Sequence, residues 1–173
     1  MTLIKNTLFA LSNIVASDYK FAEIFLSTDF YWCLFFMYEL VPVDCREEIC
    51  FCIFSIVYIG RFDALQILVN GRLLELIDQM LLEEVNTAIP YKGMQIVQEL
   101  LISFEENEKE ETSNFLMKKR DLEERLIEKD IKRKIEGYIV SENEDLSKIS
   151  LSVVEMFGKE ETSVWFWKMS LIL

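Results

Sequence analysis

The sequence predicts an all-α chain built from stacked helical repeats, and three observations predict it. Phe9, Leu11, Ile14, Leu26 and Leu34 recur 42 positions later as Phe51, Ile53, Ile56, Leu68 and Leu76, a period in the range of helical solenoids. Apolar residues keep helical spacing nearly throughout. Proline and glycine fall between the helical stretches, where they punctuate them. A unit of that length has too little apolar surface to fold alone and must bury it on its neighbours. At 173 residues the chain has room for one ordinary domain or about four such units, and its function belongs on a surface rather than in a pocket.

The elements follow in order. Leu3 to Ser17, with Leu8, Leu11, Ile14 and Val15, reads as a first helix. The longest apolar stretches, Phe30 to Tyr38 and Ile49 to Ile59, fall short of the roughly 18 to 20 residues that cross a bilayer, so they read as buried helices. Pro42 and Pro90 each precede a long apolar helix, as suits proline at helix starts. Gly60 follows the run from Arg46 to Ile59 and is expected to end it in left-handed geometry. Asn70-Gly71 breaks Leu65 to Val69 from Leu73 to Leu82. One unit is thus a long helix over 46–59, a short one over 62–69 and a third over 72–82. Three helices per unit is the armadillo pattern. The helix over 46–59 is apolar on nearly every side and must be covered on both sides, by Leu3 to Ser17 and by Met94 to Ile102.

Composition shifts at Phe104. Glu105 to Glu111 holds five glutamates and one lysine and reads as a solvated loop or a frayed helix end. Leu122, Leu126, Ile127, Ile131, Ile135, Tyr138 and Ile139 predict one amphipathic helix on the solenoid end, with Lys118-Lys119-Arg120 and Lys132-Arg133-Lys134 on its solvated face. After a polar break over Glu142 to Asp145, Leu146 to Phe157 reads as a capping helix. The tail Val164 to Leu173 is apolar for a chain terminus; docking back on the solenoid, contact with a partner and an incorrectly extended reading frame all remain open for it. The expected organisation is armadillo repeats over 1–104, the first of them partial, an acidic linker over 105–118, a final repeat and capping helix over 119–160, and the tail over 161–173.

A net charge of −12 and the absence of histidine weigh against nucleic-acid binding through a basic face, imidazole zinc sites and His-dependent catalysis. No glycine-rich phosphate loop and no pairing of nucleophile with base appears, so neither an enzyme nor a cofactor is expected. Cys45, Cys50 and Cys52 lack the paired spacing of a structural zinc site and read as reduced packing residues. Met1 to Ala10 carries one lysine and no small-residue cleavage pattern, which makes an intracellular protein without a membrane span the expectation.

Phe9 followed by Ala10-Leu11-Ser12-Asn13-Ile14 resembles the W-x-L-S-N-I signature in the inner helix of importin-α repeats, with Phe9 in the tryptophan position. Arg46 to Ile56 is similar to the next inner helix of that family, with Phe51 for tryptophan and Ser55 for asparagine. The resemblance continues through Gln66 to Leu74, Gln98 to Leu101, Leu122 to Glu124, Lys134 to Glu136, Ser141 to Asp145 and Val153 to Gly158, covering roughly residues 3 to 158. It implies a right-handed superhelical solenoid of about three to four armadillo repeats with a C-terminal capping helix. It also implies a nuclear-import adaptor, in cytoplasm and nucleus, that lays basic localisation-signal cargo peptides along a concave groove.

An asparagine amide can bond both N–H and C=O of an extended peptide, and an aromatic one turn away holds lysine stems. Carried over by position, the peptide-binding residues are Phe9 and Asn13, Phe51 and Ser55, and the acidic Glu48. Phe is a poorer cation surface than Trp, Ser55 lacks the two-ended amide, and Gln95 and Glu99 end the ladder. The part of the family matched is its C-terminal region, which implies contact with the recycling exportin; the absent basic N-terminal segment weighs against importin-β binding. The alternative is a degenerate armadillo scaffold that mediates protein–protein interaction without binding localisation signals.

Overall fold

A computed structural model describes residues 2–28, 30–109 and 117–157. Its helices are α1 (Thr2–Ser17), α2 (Tyr19–Ser27), α3 (Phe30–Leu40), α4 (Val43–Ile59), α5 (Phe62–Asn70), α6 (Leu73–Leu81), α7 (Ala88–Lys109), α8 (Lys119–Glu128), α9 (Ile131–Gly137) and α10 (Glu144–Met156), with a 3-10 turn over Tyr138–Val140. Two short helices precede each long one: α2 and α3 before α4, α5 and α6 before α7, α8 and α9 before α10. The four long helices pack in succession, α1 on α4, α4 on α7 and α7 on α10. They form the spine, and the short helices form an outer rim.

Local chemistry sets the boundaries. Asp18 caps α2 by accepting from the Lys20 amide at 2.9 Å, and Asn143 caps α10 by accepting from the Asp145 and Leu146 amides at 3.0 and 3.2 Å. These caps satisfy amides that have no partner in the first helical turn. Pro42 stands at the N-cap of α4 with Asp44 in the first turn, so that helix starts three residues before the expected Arg46. Pro90 lies inside the first turn of α7 rather than before it, where a missing N–H costs nothing.

The spine is dry. Ile49, Cys52, Ile53 and Ile56 of α4 and Ile89, Met94, Ile96, Val97, Leu100, Leu101 and Phe104 of α7 are all fully buried. Phe104 meets Phe62 of α5 edge-on, with ring centroids 4.7 Å apart. The expectation that the helix over 46–59 lies between two others is met by α1 and α7. Cys45, Cys50 and Cys52 are buried free thiols and Cys33 is an exposed one; burial pushes the Cys52 thiol up to about 12. Among the described residues no helix is long and apolar enough to cross a membrane.

Four expectations need correction. Gly60 is extended, at φ −67° and ψ 145°, not left-handed. It is glycine because a Cβ there would sit 2.4 Å from the Ile56 carbonyl oxygen, so close backbone approach and not a positive φ excludes a side chain. The single amphipathic helix expected over 122–139 is two helices and a turn, broken at Asp130, whose φ of 62° is left-handed. The stretch Phe30 to Tyr38 is not buried all round: α3 buries Tyr31, Leu34, Phe35 and Tyr38 and exposes Phe30 and Phe36. The acidic linker begins as helix, since α7 continues to Lys109; its residues 110–116 and the tail over 161–173 lie outside the described residues.

Ion pairs tie the rim together. Arg61 pairs with Glu23 and Arg72 with Glu39, each at 3.8 Å; Lys129 pairs with Glu75 at 2.7 Å and Lys134 with Asp78. Glu105 accepts from Lys119 at 2.9 Å and from Lys109 at 3.0 Å, joining the end of α7 to the start of α8. These two bonds hold its carboxyl down at about 2. A carboxylate with a depressed folded-state pKa contributes stability above its unfolded value, and that contribution is lost as pH falls through the folded one. The Glu105 contribution is therefore expected to be complete at neutral pH and to vanish on acidification toward pH 2. An NMR titration should put its midpoint near 2, and Lys119→Ala should move that midpoint up toward 4.5.

Candidate functional site

Helical spacing puts residues i and i+4 on one face, and on that basis α1 presents Phe9 with Asn13 and α4 presents Phe51 with Ser55. Phe9 and Phe51 are 58% and 42% exposed, so neither is a core residue. Asn13 is exposed, and Glu48 and Ser55 are half-buried. The polar members of both pairs turn back on their own helices. The Asn13 Nδ2 donates to the Phe9 carbonyl at 2.8 Å and the Ser55 Oγ donates to the Phe51 carbonyl at 2.9 Å. Asn13 keeps its amide oxygen and a second N–H for another chain; Ser55 has spent its one donor.

A cation already sits on the second aromatic position. Lys92, in the first part of α7, places its Nζ 4.4 Å from the centroid of Phe51 and 4.1 Å from that of Phe54, inside the range of cation–π attraction. The same ammonium donates to Gln95 Oε1 at 2.7 Å. Burial lowers the Lys92 pKa, and the two ring faces supply negative potential in place of lost water. Phe54 in turn stacks on Tyr58, centroids 5.7 Å apart. Sequence reasoning passed over Lys92. The signal that could have found it is its isolation, since it is the one basic residue between Arg72 and Lys109.

Farther along α7, Gln95 and Glu99 occupy the next positions on the repeat, both half-buried. Burial, and then the charge of Glu106, pushes the Glu99 carboxyl up. Among the described residues no three His, Cys, Asp or Glu side chains are placed to hold a metal ion. The surface can therefore bind by aromatic contact, hydrogen bonding and charge.

No protein-family model and no curated protein matches the chain. Among solved structures, a designed armadillo repeat protein, YIII(Dq)4CqI, matches with a TM-score of 0.70 and 15% identity, over 90% of this chain and 58% of that one. The chain is an armadillo-type solenoid. It spans a little more than half the length of the designed protein. In armadillo terms the described residues hold three three-helix units, each ending in a long helix, preceded by α1 as the long helix of a partial unit. The expected three to four repeats and closing helix are present.

Proposed function

We infer that this armadillo solenoid is a protein-interaction scaffold, and that it does not read basic localisation peptides along its long helices. Lys92 carries the inference: its ammonium lies where the lysine of a cargo peptide would have to lie, against Phe51. An incoming lysine would need to displace that contact and would meet like charge while doing so. The ladder has no intact second rung, because Ser55 is bonded to its own helix. Exposed apolar surface supports a protein partner instead. Of nineteen exposed large hydrophobic residues among the described ones, thirteen lie between Leu3 and Tyr58, and apolar surface gathered in one region marks an interaction site.

The import-adaptor reading keeps one observation in its favour, the exposed Phe9 beside Asn13 with its free amide oxygen. On that reading the chain would take basic cargo peptides, and the recycling exportin through its last unit, in cytoplasm and nucleus. Titrating the full chain into a labelled lysine-rich localisation peptide at low salt separates the two. The scaffold reading expects no saturation at micromolar concentrations. It also expects Lys92→Ala to strengthen binding by about 2- to 30-fold, the worth of one exposed-to-desolvated cation–π contact. Saturable, salt-sensitive micromolar binding by the unaltered chain, weakened by Asn13→Ala, would establish the adaptor instead.

A further inference from the structure

One register runs through the three-helix units. Tyr31, Leu73 and Ile131 stand 42 and then 58 residues apart near the starts of α3, α6 and α9, and Phe35, Ile77 and Ile135 repeat the step one turn later. All six are buried. The same step carries Leu40 to Leu82 and on to Val140, and these are 68%, 60% and 82% exposed. A register that buries its first two rows thus holds an aliphatic side chain in water in every unit. The middle rung decides what kind of surface this is. Leu82 belongs to the unit packed on both sides, with α4 and α10 against its α7, and it is open all the same. The row therefore runs along the side of the solenoid, and a further unit at either end would add a rung without covering one.

Polar contacts put the rungs on one edge. Asn86 Nδ2 donates to Glu47 Oε2 at 2.9 Å and the Arg46 guanidinium to Glu83 Oε2 at 3.2 Å, which joins the loop after Leu82 to the start of α4 after Leu40. The Tyr138 hydroxyl donates to the Leu81 carbonyl at 2.8 Å, which joins the turn holding Val140 to the end of α6. Val85, 83% exposed, adds a fourth aliphatic side chain. Charge gathers on the same edge. Residues 40–48, 82–87 and 138–145 hold eight acids against one base, Arg46, which is −7 of the chain's −12. Asp44, Glu84, Glu142 and Asp145 are exposed and make no ion pair among the described residues. Asp44 and Asp145 also suit the first helical turns they occupy; the aliphatic row has no such local use.

We propose that this edge docks a basic amphipathic helix presented by a protein partner. Charge excludes a second copy, because two edges of this sign repel. Pitch selects a helix. Packed helices lie about 8–10 Å apart, so the rungs recur at about that interval. A helix rises about 10.5 Å in seven residues and brings the same face round again. An extended strand covers that distance in three residues and turns its side chain to the opposite face. A polyproline helix keeps the pitch, but its recognition uses aromatic-lined grooves, and these rungs are leucine and valine. The partner thus carries aliphatic residues at heptad spacing, flanked by lysine or arginine for the open carboxylates. The inference rests on the scaffold reading for a protein partner, on a surface in which Phe9, Asn13 and Lys92 take no part.

The probe is a peptide of leucine, lysine and alanine with its leucines on one helical face, about 20 residues and ~30 Å long, enough to span three rungs. Titrated calorimetrically into the full chain at low salt, it is expected to saturate in the micromolar range, and the same composition with leucines scattered round the helix is expected not to. Leu82→Ser should weaken binding about 10-fold, the worth of a leucine that regains burial. Glu84→Lys with Glu142→Lys should weaken it and flatten its salt dependence. Phe36→Ser and Ile24→Ser, as exposed as Leu82 but off the edge, and Asn13→Ala should leave it unchanged, with circular dichroism confirming that each variant is folded. No saturation, equal binding of the scattered peptide, or a loss shared by Phe36→Ser and Ile24→Ser would overturn the proposal. So would binding that needs Asn13, which would return the ligand to the long helices, or binding seen only after replacing Trp165, Phe166 and Trp167 with serine, which would give the edge to the tail. A localisation peptide that saturates the unaltered chain would overturn the scaffold reading alone and leave the effect of Leu82→Ser standing.

Discussion

Replacing Phe104 with alanine is expected to cost about 3–5 kcal/mol of unfolding free energy, the range for deleting a fully buried aromatic ring. Phe104 is 0% exposed and its ring meets Phe62 edge-on at 4.7 Å. An aromatic pair of that geometry is worth about 0.5–1.5 kcal/mol beyond the area it buries. The ring joins the far half of α7 to the start of α5, so its loss opens a cavity between two elements of one unit that can collapse only if both move. Urea unfolding followed by circular dichroism should show the midpoint falling while the slope stays constant, since the surface exposed on unfolding scarcely changes. Phe104→Leu, which keeps most of the volume, should lose less than half as much.

The second large effect is expected at Gly93, where α7 crosses α6. A Cβ placed there would lie 3.3 Å from the Met80 Cβ and 3.7 Å from the Leu81 Cδ2. Two terms oppose each other at this position. Alanine gains about 1 kcal/mol over glycine in a helix interior, and a methyl group at 3.3 Å needs Met80 to give by a few tenths of an ångström. Gly93→Ala should therefore change stability by less than about 1 kcal/mol. Gly93→Val adds two more carbons where there is no room for them and loses rotamer freedom. It should cost about 1–3 kcal/mol, as overpacked cores do. The same urea titration reads both variants, and a valine as stable as the alanine would show that the α6 and α7 contact is looser than its distances state.

The fold was legible because it rests on period, and period survives in a single sequence. Phe9 and Phe51 fall at equivalent exposed positions, and Leu34 and Leu76 at equivalent buried ones, so one spacing carried both the repeat and its faces. What was not legible depends on contacts between units. Gly60 marks the end of α4 as expected, but its reason is the nearby Ile56 carbonyl, which no local rule for left-handed caps contains. The break in the last amphipathic pattern falls at Lys129-Asp130, with neither glycine nor proline to announce it; the apolar spacing runs on because each helix buries its own pair, Leu122 and Leu126 in α8 and Ile131 and Ile135 in α9. Phe30 to Tyr38 read as buried because apolar residues usually are, whereas here α3 turns one apolar face outward. For the candidate site, the aromatic positions were visible and the occupant of one was not. Lys92 lies 41 residues from Phe51 in sequence, and only packing of α7 on α4 brings them together.

The division between a dry spine and an ion-paired rim also has a mechanical meaning. Apolar contacts among the long helices do not weaken when salt is added, while exposed pairs such as Arg61 with Glu23 and Arg72 with Glu39, already 3.8 Å apart, are screened within a Debye length of about 8 Å at physiological ionic strength. The short helices are themselves anchored by Leu65, Leu68, Leu73, Leu74 and Ile77, each 0–1% exposed, and burial of that kind is not screened. Since exposed ion pairs contribute only about 0–1 kcal/mol each, the array is expected to keep its curvature as salt rises, held by its apolar seams rather than by its charges.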